Sequence, residues 1–165
     1  MNGYDAVVDI LKKEGFEWIA CFPANPLIEA AGKGGLRPIV FRQERGGIMA
    51  ADGYARMLAK EGKRGVFCSP GGPGIENSFG GFAQAWAEAV PVLYLPAGSP
   101  ANVAEVKPNF DPQTNFAHIT KWHSSITKSS EISTQMRRAM SALKNGRPGP
   151  VLLEMRSDAM AGEVD

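Results

Sequence analysis

Pro38-Ile39-Val40-Phe41-Arg42-Gln43-Glu44-Arg45-Gly46-Gly47-Ile48-Met49-Ala50-Ala51-Asp52-Gly53-Tyr54-Ala55-Arg56 is the stretch that sets the reading of this chain. A short apolar run after a proline, Ile39 to Phe41, has the pattern of a buried strand. A charged turn, Arg42 to Arg45, and two glycines then lead into an alanine-rich helix expected over about 46–61. Glu44 falls between a strand end and a helix start, where open α/β sheets place their ligand crevices. On these residues alone two readings stand: a ligand-facing carboxylate, or a surface acid paired with Arg42 or Arg45.

The rest of the chain repeats the unit. A helix is expected over 3–14, with Ala6, Val7, Ile10 and Leu11 on one face and Gly15 ending it. A strand follows at Trp18–Phe22, a Pro-rich turn at Pro23–Pro26 and a short helix over about 27–33. Gly65–Ser69 reads as the third strand. Pro70–Asn77 is a Gly/Pro loop that opens a small-residue helix over about 75–88. Pro91–Leu95 is the fourth strand, and 96–117 lacks periodicity and reads as an excursion. A fifth strand or turn near His118–Trp122, a helix over about 131–144 and a last strand at Val151–Met155 complete the pattern. The polar tail, Arg156 to Asp165, is expected to fray or to lead elsewhere. Gly53, inside the Glu44 helix, costs about 1 kcal/mol relative to Ala, which suggests close packing there.

Uniformly apolar strands alternating with helices specify an α/β fold: a doubly wound, mainly parallel, six-stranded sheet with helices on both faces. The 165 residues are enough for one domain with its own core. A formal net charge of +1 gives no reason to expect nucleic acid or an anionic membrane surface as a partner. No apolar run approaches the ~20 residues of a membrane span. No basic segment and apolar core of a signal peptide is present, so a cytoplasmic location is expected. Cys21 and Cys68 read as reduced, buried thiols. Two histidines without a Cys/His cluster give no expectation of a metal site.

Three loops should share the C-terminal edge of such a sheet: Pro23–Pro26, Arg42–Gly47 and Pro70–Asn77. Neither G-x-G-x-x-G after the first strand nor G-x-x-x-x-G-K-[ST] occurs, so the glycines do not spell a nucleotide-phosphate site. Ser69 lies outside any G-x-S-x-G elbow, and His118 and His123 show no evident partners.

Phe41 to Arg56 resembles the glutamate motif of thiamine-diphosphate-dependent enzymes, in their N-terminal pyrimidine-binding (PYR) domain. The likeness is to the branch of acetolactate synthase, benzoylformate decarboxylase and pyruvate oxidase. Gly72-Pro73-Gly74-Ile75-Glu76-Asn77 resembles that family's G-P-G-x-x-N loop, and Ala85-Trp86-Ala87-Glu88-Ala89-Val90-Pro91 its A-x-x-[DE]-x-x-P strand entry. Thr120-Lys121-Trp122 and Gly146-Arg147-Pro148-Gly149-Pro150-Val151 are similar to two further landmarks, in the right order.

The resemblance implies a flavodoxin-like PYR domain over 1–165 and thiamine diphosphate as cofactor. It implies that Glu44 hydrogen-bonds N1′ of the aminopyrimidine, favouring the tautomer that deprotonates C2 to the ylid. Asn25, Pro26, Pro70, Pro73, Gly74 and Asn77 are the accompanying cofactor-binding positions, and no metal ligand is implied in this chain. Mg²⁺ and the diphosphate would be held by a partner domain or subunit carrying a G-D-G…N motif, which does not occur here. A homodimer or homotetramer of the parent enzyme and a small 2-keto-acid substrate follow, for decarboxylase or carboligase chemistry. A separate α subunit, as in sulfopyruvate decarboxylase, and a non-catalytic binding domain of the same fold are the alternatives. Three departures separate the chain from the family pattern. Phe22-Pro23-Ala24-Asn25-Pro26 stands in place of F-G-x-P-G, Gln43 in place of the His of acetolactate synthases, and Pro70 in place of a Thr or His.

Overall fold

The structure, a computed structural model, describes residues 1–104 and 106–164. Six strands form one sheet in which every pairing is parallel, in the order β2-β1-β3-β4-β6-β5. The strands are β1 (Trp18–Cys21), β2 (Arg37–Val40), β3 (Gly65–Ser69), β4 (Val92–Gly98), β5 (Trp122–Ile126) and β6 (Val151–Arg156). The α-helices are α1 (Gly3–Lys13), α2 (Leu27–Gly34), α3 (Glu44–Met57), α4 (Pro73–Ala87), α5 (Pro112–Phe116), α6 (Ile132–Lys144) and α7 (Ser157–Ala161).

The winding reverses at β1. The chain leaves β1 for β2 through α2, then crosses back over β1 through α3 to reach β3 and, through α4, β4. Right-handed crossovers therefore place α2 on one face of the sheet and α3 and α4 on the other. The core divides accordingly. Val7, Leu11, Leu27, Met136 and Met140 cover one face of the sheet with Cys21 and Cys68. On the other, Ile48, Ala51, Ala55, Ile75 and Phe82 pack with Phe67, Tyr94 and Phe116. The β1/β3 boundary is thus a topological switch point, where such sheets open a crevice at the strand ends.

Several elements depart from the sequence expectation. The β2 strand is not buried: it has a neighbour on one side only, and Val40 is 55% exposed. The α3 helix begins at Glu44, two residues early, because Gln43 holds extended backbone as its N-cap and the glycines at 46 and 47 continue the helix. It ends at Met57, and a 3-10 turn at Ala59–Glu61 reaches Gly62, whose φ of 71° breaks the run. The close packing suggested for Gly53 is absent, since a Cβ there would meet nothing within 4 Å. The tight contacts lie at Gly47, where a Cβ would come 2.5 Å from Phe67 Cε2, and at Gly81, 2.4 Å from Ile48 Cγ2. These two glycines let α3 approach β3 and α4 approach α3.

The excursion contains β4 as far as Gly98 and α5, whose N-cap Asp111 accepts from the amides of Gln113 and Thr114. The fifth strand starts at Trp122. The tail does not fray. It forms α7, with Met160 buried beside Gly3, and Val164 N donates to Met1 O at 2.9 Å. Cys21 and Cys68 are free, buried and in register on β1 and β3. Burial pushes the Cys68 thiol well above its usual range. Among the described residues no helix is long and apolar enough to cross a membrane.

Candidate active site

Because all six strands run the same way, the loops after β1, β2 and β3 meet at one edge. Asn25, after β1, is 4% exposed, and its amide is spent within the fold. Nδ2 donates to Ser69 O at 2.8 Å and Leu95 O at 3.2 Å, and Oδ1 accepts from Leu27 N at 3.0 Å. One side chain thereby ties the end of β3 to the middle of β4 and starts α2. A buried amide with every strong group satisfied rigidifies the floor on which the other loops sit. Pro26 caps α2 and is exposed beside it.

Glu44 occupies the first position of α3 and is 7% exposed. Its Oε2 accepts from Asn77 Nδ2 at 2.6 Å, a contact between the start of α3 and the second turn of α4. No ion pair joins Glu44 to Arg42 or Arg45 among the described residues, and both arginines point to solvent. The surface-pair reading is therefore excluded. Oε1 takes no hydrogen bond among the described residues and faces Gly74: a Cβ on that glycine would lie 3.4 Å from Oε1 and 2.7 Å from Pro70 Cγ.

The loop that carries these contacts is shaped by its own sequence. Gly72 has a φ of 54° and caps α4, whose first residue is Pro73, a position where the missing N–H costs nothing. A Cβ on Gly71 would meet Ala97 O at 2.8 Å, so this loop lies directly against the end of β4. Beneath it, Ser69 Oγ and Tyr94 Oη are 2.7 Å apart, and burial pushes the Tyr94 hydroxyl well above its usual range. Tyr94 is thus a fixed neutral group. Its ring stacks on Phe82 with centroids 4.4 Å apart, which stiffens the wall below Pro70.

The structure accordingly places Glu44, Asn77, Gly74 and Pro70 against one another, with Asn25 beneath and Pro73 at the start of α4. Sequence reasoning missed a second polar network toward the ends of β5 and β6. Glu154, 5% exposed, accepts from Ser125 Oγ, and Gln113 Nε2 lies 3.5 Å from its Oε2. Gln113 Nε2 also donates to Ser124 O at 3.1 Å, and its Oε1 is 3.0 Å from His123 Nδ1. His123 therefore has a partner after all. The one signal in the sequence was an acid interrupting the apolar run of β6.

The comparisons with known proteins agree on a family. The family described as "Thiamine pyrophosphate enzyme, N-terminal TPP binding domain" matches residues 1–120. The whole chain is 34% identical over 170 residues to a probable acetolactate synthase large subunit of Methanocaldococcus jannaschii, covering 28% of that protein. It is 32% identical over 171 residues to the acetolactate synthase isozyme 2 large subunit of Escherichia coli, covering 30% of it. Acetolactate synthase of Arabidopsis thaliana is 29% identical over 168 residues, spanning 95% of this chain and 24% of that one. The chain thus spans less than a third of the length of these relatives. With a six-stranded parallel sheet, a switch-point crevice and this match over most of its length, the chain belongs to the thiamine pyrophosphate enzyme N-terminal TPP-binding domain family, and resembles acetolactate synthase large subunits.

Proposed function

We propose that this chain is the pyrimidine-binding half of the active site of an acetolactate-synthase-like 2-keto-acid decarboxylase or carboligase, and that Glu44 is its proton-handling residue. The observation that carries this reading is a buried carboxylate with one oxygen spent on Asn77 and the other free above Gly74 and Pro70.

Those residues fit an aminopyrimidine. A flat ring needs an acceptor at its N1′ edge and room beside it, and Glu44 Oε1 offers the first. Gly74 supplies the second, because a methyl group at that position would fill the space next to Oε1. Thiamine diphosphate, when bound, supplies the electron sink that cleavage beside a ketone requires. Glu44 holds and exchanges a proton at N1′. Asn77 fixes the carboxylate plane so that Oε1 points outward, and Pro70 bounds the pocket with a rigid apolar ring. Asn25 acts through the loops by pinning Ser69 and Leu95. Pro26 and Pro73 contribute as rigid loop positions at the starts of α2 and α4.

Diphosphate and Mg²⁺ belong to a partner domain in this reading. It holds alike for a domain of a longer polypeptide and for an α subunit paired with a β chain, working as a homodimer or a larger oligomer. The test is reconstitution: the chain, a diphosphate-binding partner, thiamine diphosphate and Mg²⁺, with CO₂ release from 2-keto acids as readout. Glu44→Gln is expected to lower turnover by about 10²–10⁴-fold. Undiminished turnover in that variant overturns the assignment.

A further inference from the structure

We infer that Tyr94 is a positioning residue of the proposed site: acting through Ser69, its buried hydroxyl holds Pro70 in place beside Glu44 Oε1. The inference deepens the proposed function and rests on it, because it names the group that sets the width of the pyrimidine pocket.

The ring of Tyr94 needs no hydroxyl to fill its place. It lies among Phe67, Phe82 and Phe116, with centroids 5.5, 4.4 and 5.8 Å away, and a phenylalanine would make the same contacts. A hydroxyl in such a layer is costly unless it is hydrogen-bonded. Tyr94 is fully buried, and its Oη lies 2.7 Å from the Oγ of Ser69, which is fully buried as well. Phe67 is the register partner of Tyr94, so the hydroxyl reaches two residues further along β3, to its last residue.

Proton counting gives this contact a direction. A serine hydroxyl has one proton, and that of Ser69 goes to Pro70 O at 3.0 Å. Tyr94 must then donate to Ser69 Oγ, and the bonds run in series from Tyr94 to Ser69 to Pro70. The backbone of Ser69 is held too, since its carbonyl accepts from Asn25 Nδ2 at 2.8 Å. Proline has one free backbone torsion, because its ring closes φ. A bond on the Pro70 carbonyl restrains the other, so the residue is fixed at both ends.

Pro70 bounds the space at Glu44. A Cβ on Gly74 would lie 2.7 Å from Pro70 Cγ and 3.4 Å from Glu44 Oε1. Gly74 has an anchor of its own, a carbonyl that accepts from Ser78 Oγ at 2.7 Å. Alone, that bond is the ordinary back-bond of a serine inside a helix. Ser78 also faces Tyr94, and with Ser69 it opposes the rise that burial imposes on the Tyr94 hydroxyl. The two residues that flank Oε1 are therefore anchored to serines that meet at one hydroxyl.

Two arms test the inference. In the first, the full chain labelled with ¹⁵N is compared with its Tyr94→Phe and Ser69→Ala variants. Both substitutions should shift the amide resonances of Gly71, Gly72 and Gly74 in the same direction and leave those of β2 unmoved. In the second, the chain is reconstituted with a diphosphate-binding partner and Mg²⁺, and turnover of a 2-keto acid is followed against thiamine diphosphate concentration. Each variant should raise the KM for thiamine diphosphate about threefold to tenfold, the loss of one neutral hydrogen bond. The KM for the keto acid should not move. The double variant should go no further than the larger single effect, because bonds in series fail together. A merely structural hydroxyl would lower the active fraction, and with it kcat, at unchanged KM. That result overturns the inference, as do additive losses or unmoved resonances over 71–74. Should Tyr94→Phe fail to fold, Ser69→Ala decides alone, since it keeps the ring and removes the acceptor. Loop shifts without any turnover by the wild-type assembly overturn the proposed function and leave Tyr94 as an anchor of the loop.

Discussion

Two glutamates are buried toward the C-terminal edge of this sheet, and they differ in how their oxygens are used. Glu44 starts α3, accepts one hydrogen bond from Asn77 and keeps Oε1 free beside a glycine. Glu154 sits inside β6, accepts from Ser125, faces Gln113 and is packed against Gly98. Their exposures, 7% and 5%, are nearly the same, so burial does not separate them. Each has one oxygen without a hydrogen bond among the described residues, and what separates them is packing: Glu154 Oε1 is pressed against Gly98, where a Cβ would lie 2.7 Å away, whereas Glu44 Oε1 lies 3.4 Å from the corresponding point on Gly74. A buried acid whose unbonded oxygen is packed against backbone is a structural joint, whereas one whose unbonded oxygen has room beside it is equipped to meet a ligand.

The largest expected effect on this contrast comes from Glu44→Gln in the reconstituted enzyme. Turnover should fall about 10²–10⁴-fold, while the melting temperature of the chain moves little. Asp52→Asn is the control, since Asp52 is an equally buried acid on the same helix but is paired with Arg56. Turnover should survive that change.

Next is the Asn77 contact. Asn77→Ala should cost roughly tenfold to hundredfold in kcat, the loss of one orienting bond to a charged group. Asn77→Asp should go further and move the acid limb of the pH–rate profile upward, because a second carboxylate at 2.6 Å disfavours ionisation of the first. An acid limb unmoved in Asn77→Asp would show that Glu44 does not set it.

For Glu154 the expected signature is reversed, with stability affected first. Glu154→Ala strands the Ser125 and Gln113 donors and should cost about 2–3 kcal/mol, read by urea unfolding. Gly98→Ala should destabilise by about 1–3 kcal/mol through the clash with Glu154. Gly53→Ala, into open space, should stabilise by about 0.5–1 kcal/mol.

The smallest effect concerns Asp158, whose carboxyl is held below its usual range by the Ala101 N–H. With the folded pKa below the unfolded one, its contribution is present above the unfolded carboxylate value and lost as pH falls through the folded one. For so exposed a group it amounts to a few tenths of a kcal/mol. The stability difference between wild type and Asp158→Asn should therefore shrink as the pH is lowered into the carboxylate range.

The helices and the central strands were readable because their residues repeat with the period of the element they form. Val66-Phe67-Cys68 and Leu93-Tyr94-Leu95 are apolar on both sides, which only a strand covered on two faces requires. The same rule misjudged β2, because an apolar trio also occurs on an edge strand and a sequence carries no record of how many neighbours a strand has. The tail misled for a related reason. Ala159 and Met160 are the only buried residues of α7, too few to make a period, and Met160 packs on Gly3 at the other end of the chain.

In the site, sequence determined the position of Glu44, between a strand and a helix in a motif shared with a known family, and it determined the parallel class of the sheet. Both follow from contiguous residues. Only the tertiary structure decided that Asn77 spends one oxygen of that acid, that Asn25 ties β3 to β4, and that Glu154, Gln113 and Ser125 form one network. Those residues stand 33 to 70 positions apart in the first two cases and 29 to 41 apart within the last network. A hydrogen bond acts over about 3 Å, and only the folding of one parallel sheet brings such distant residues within that range.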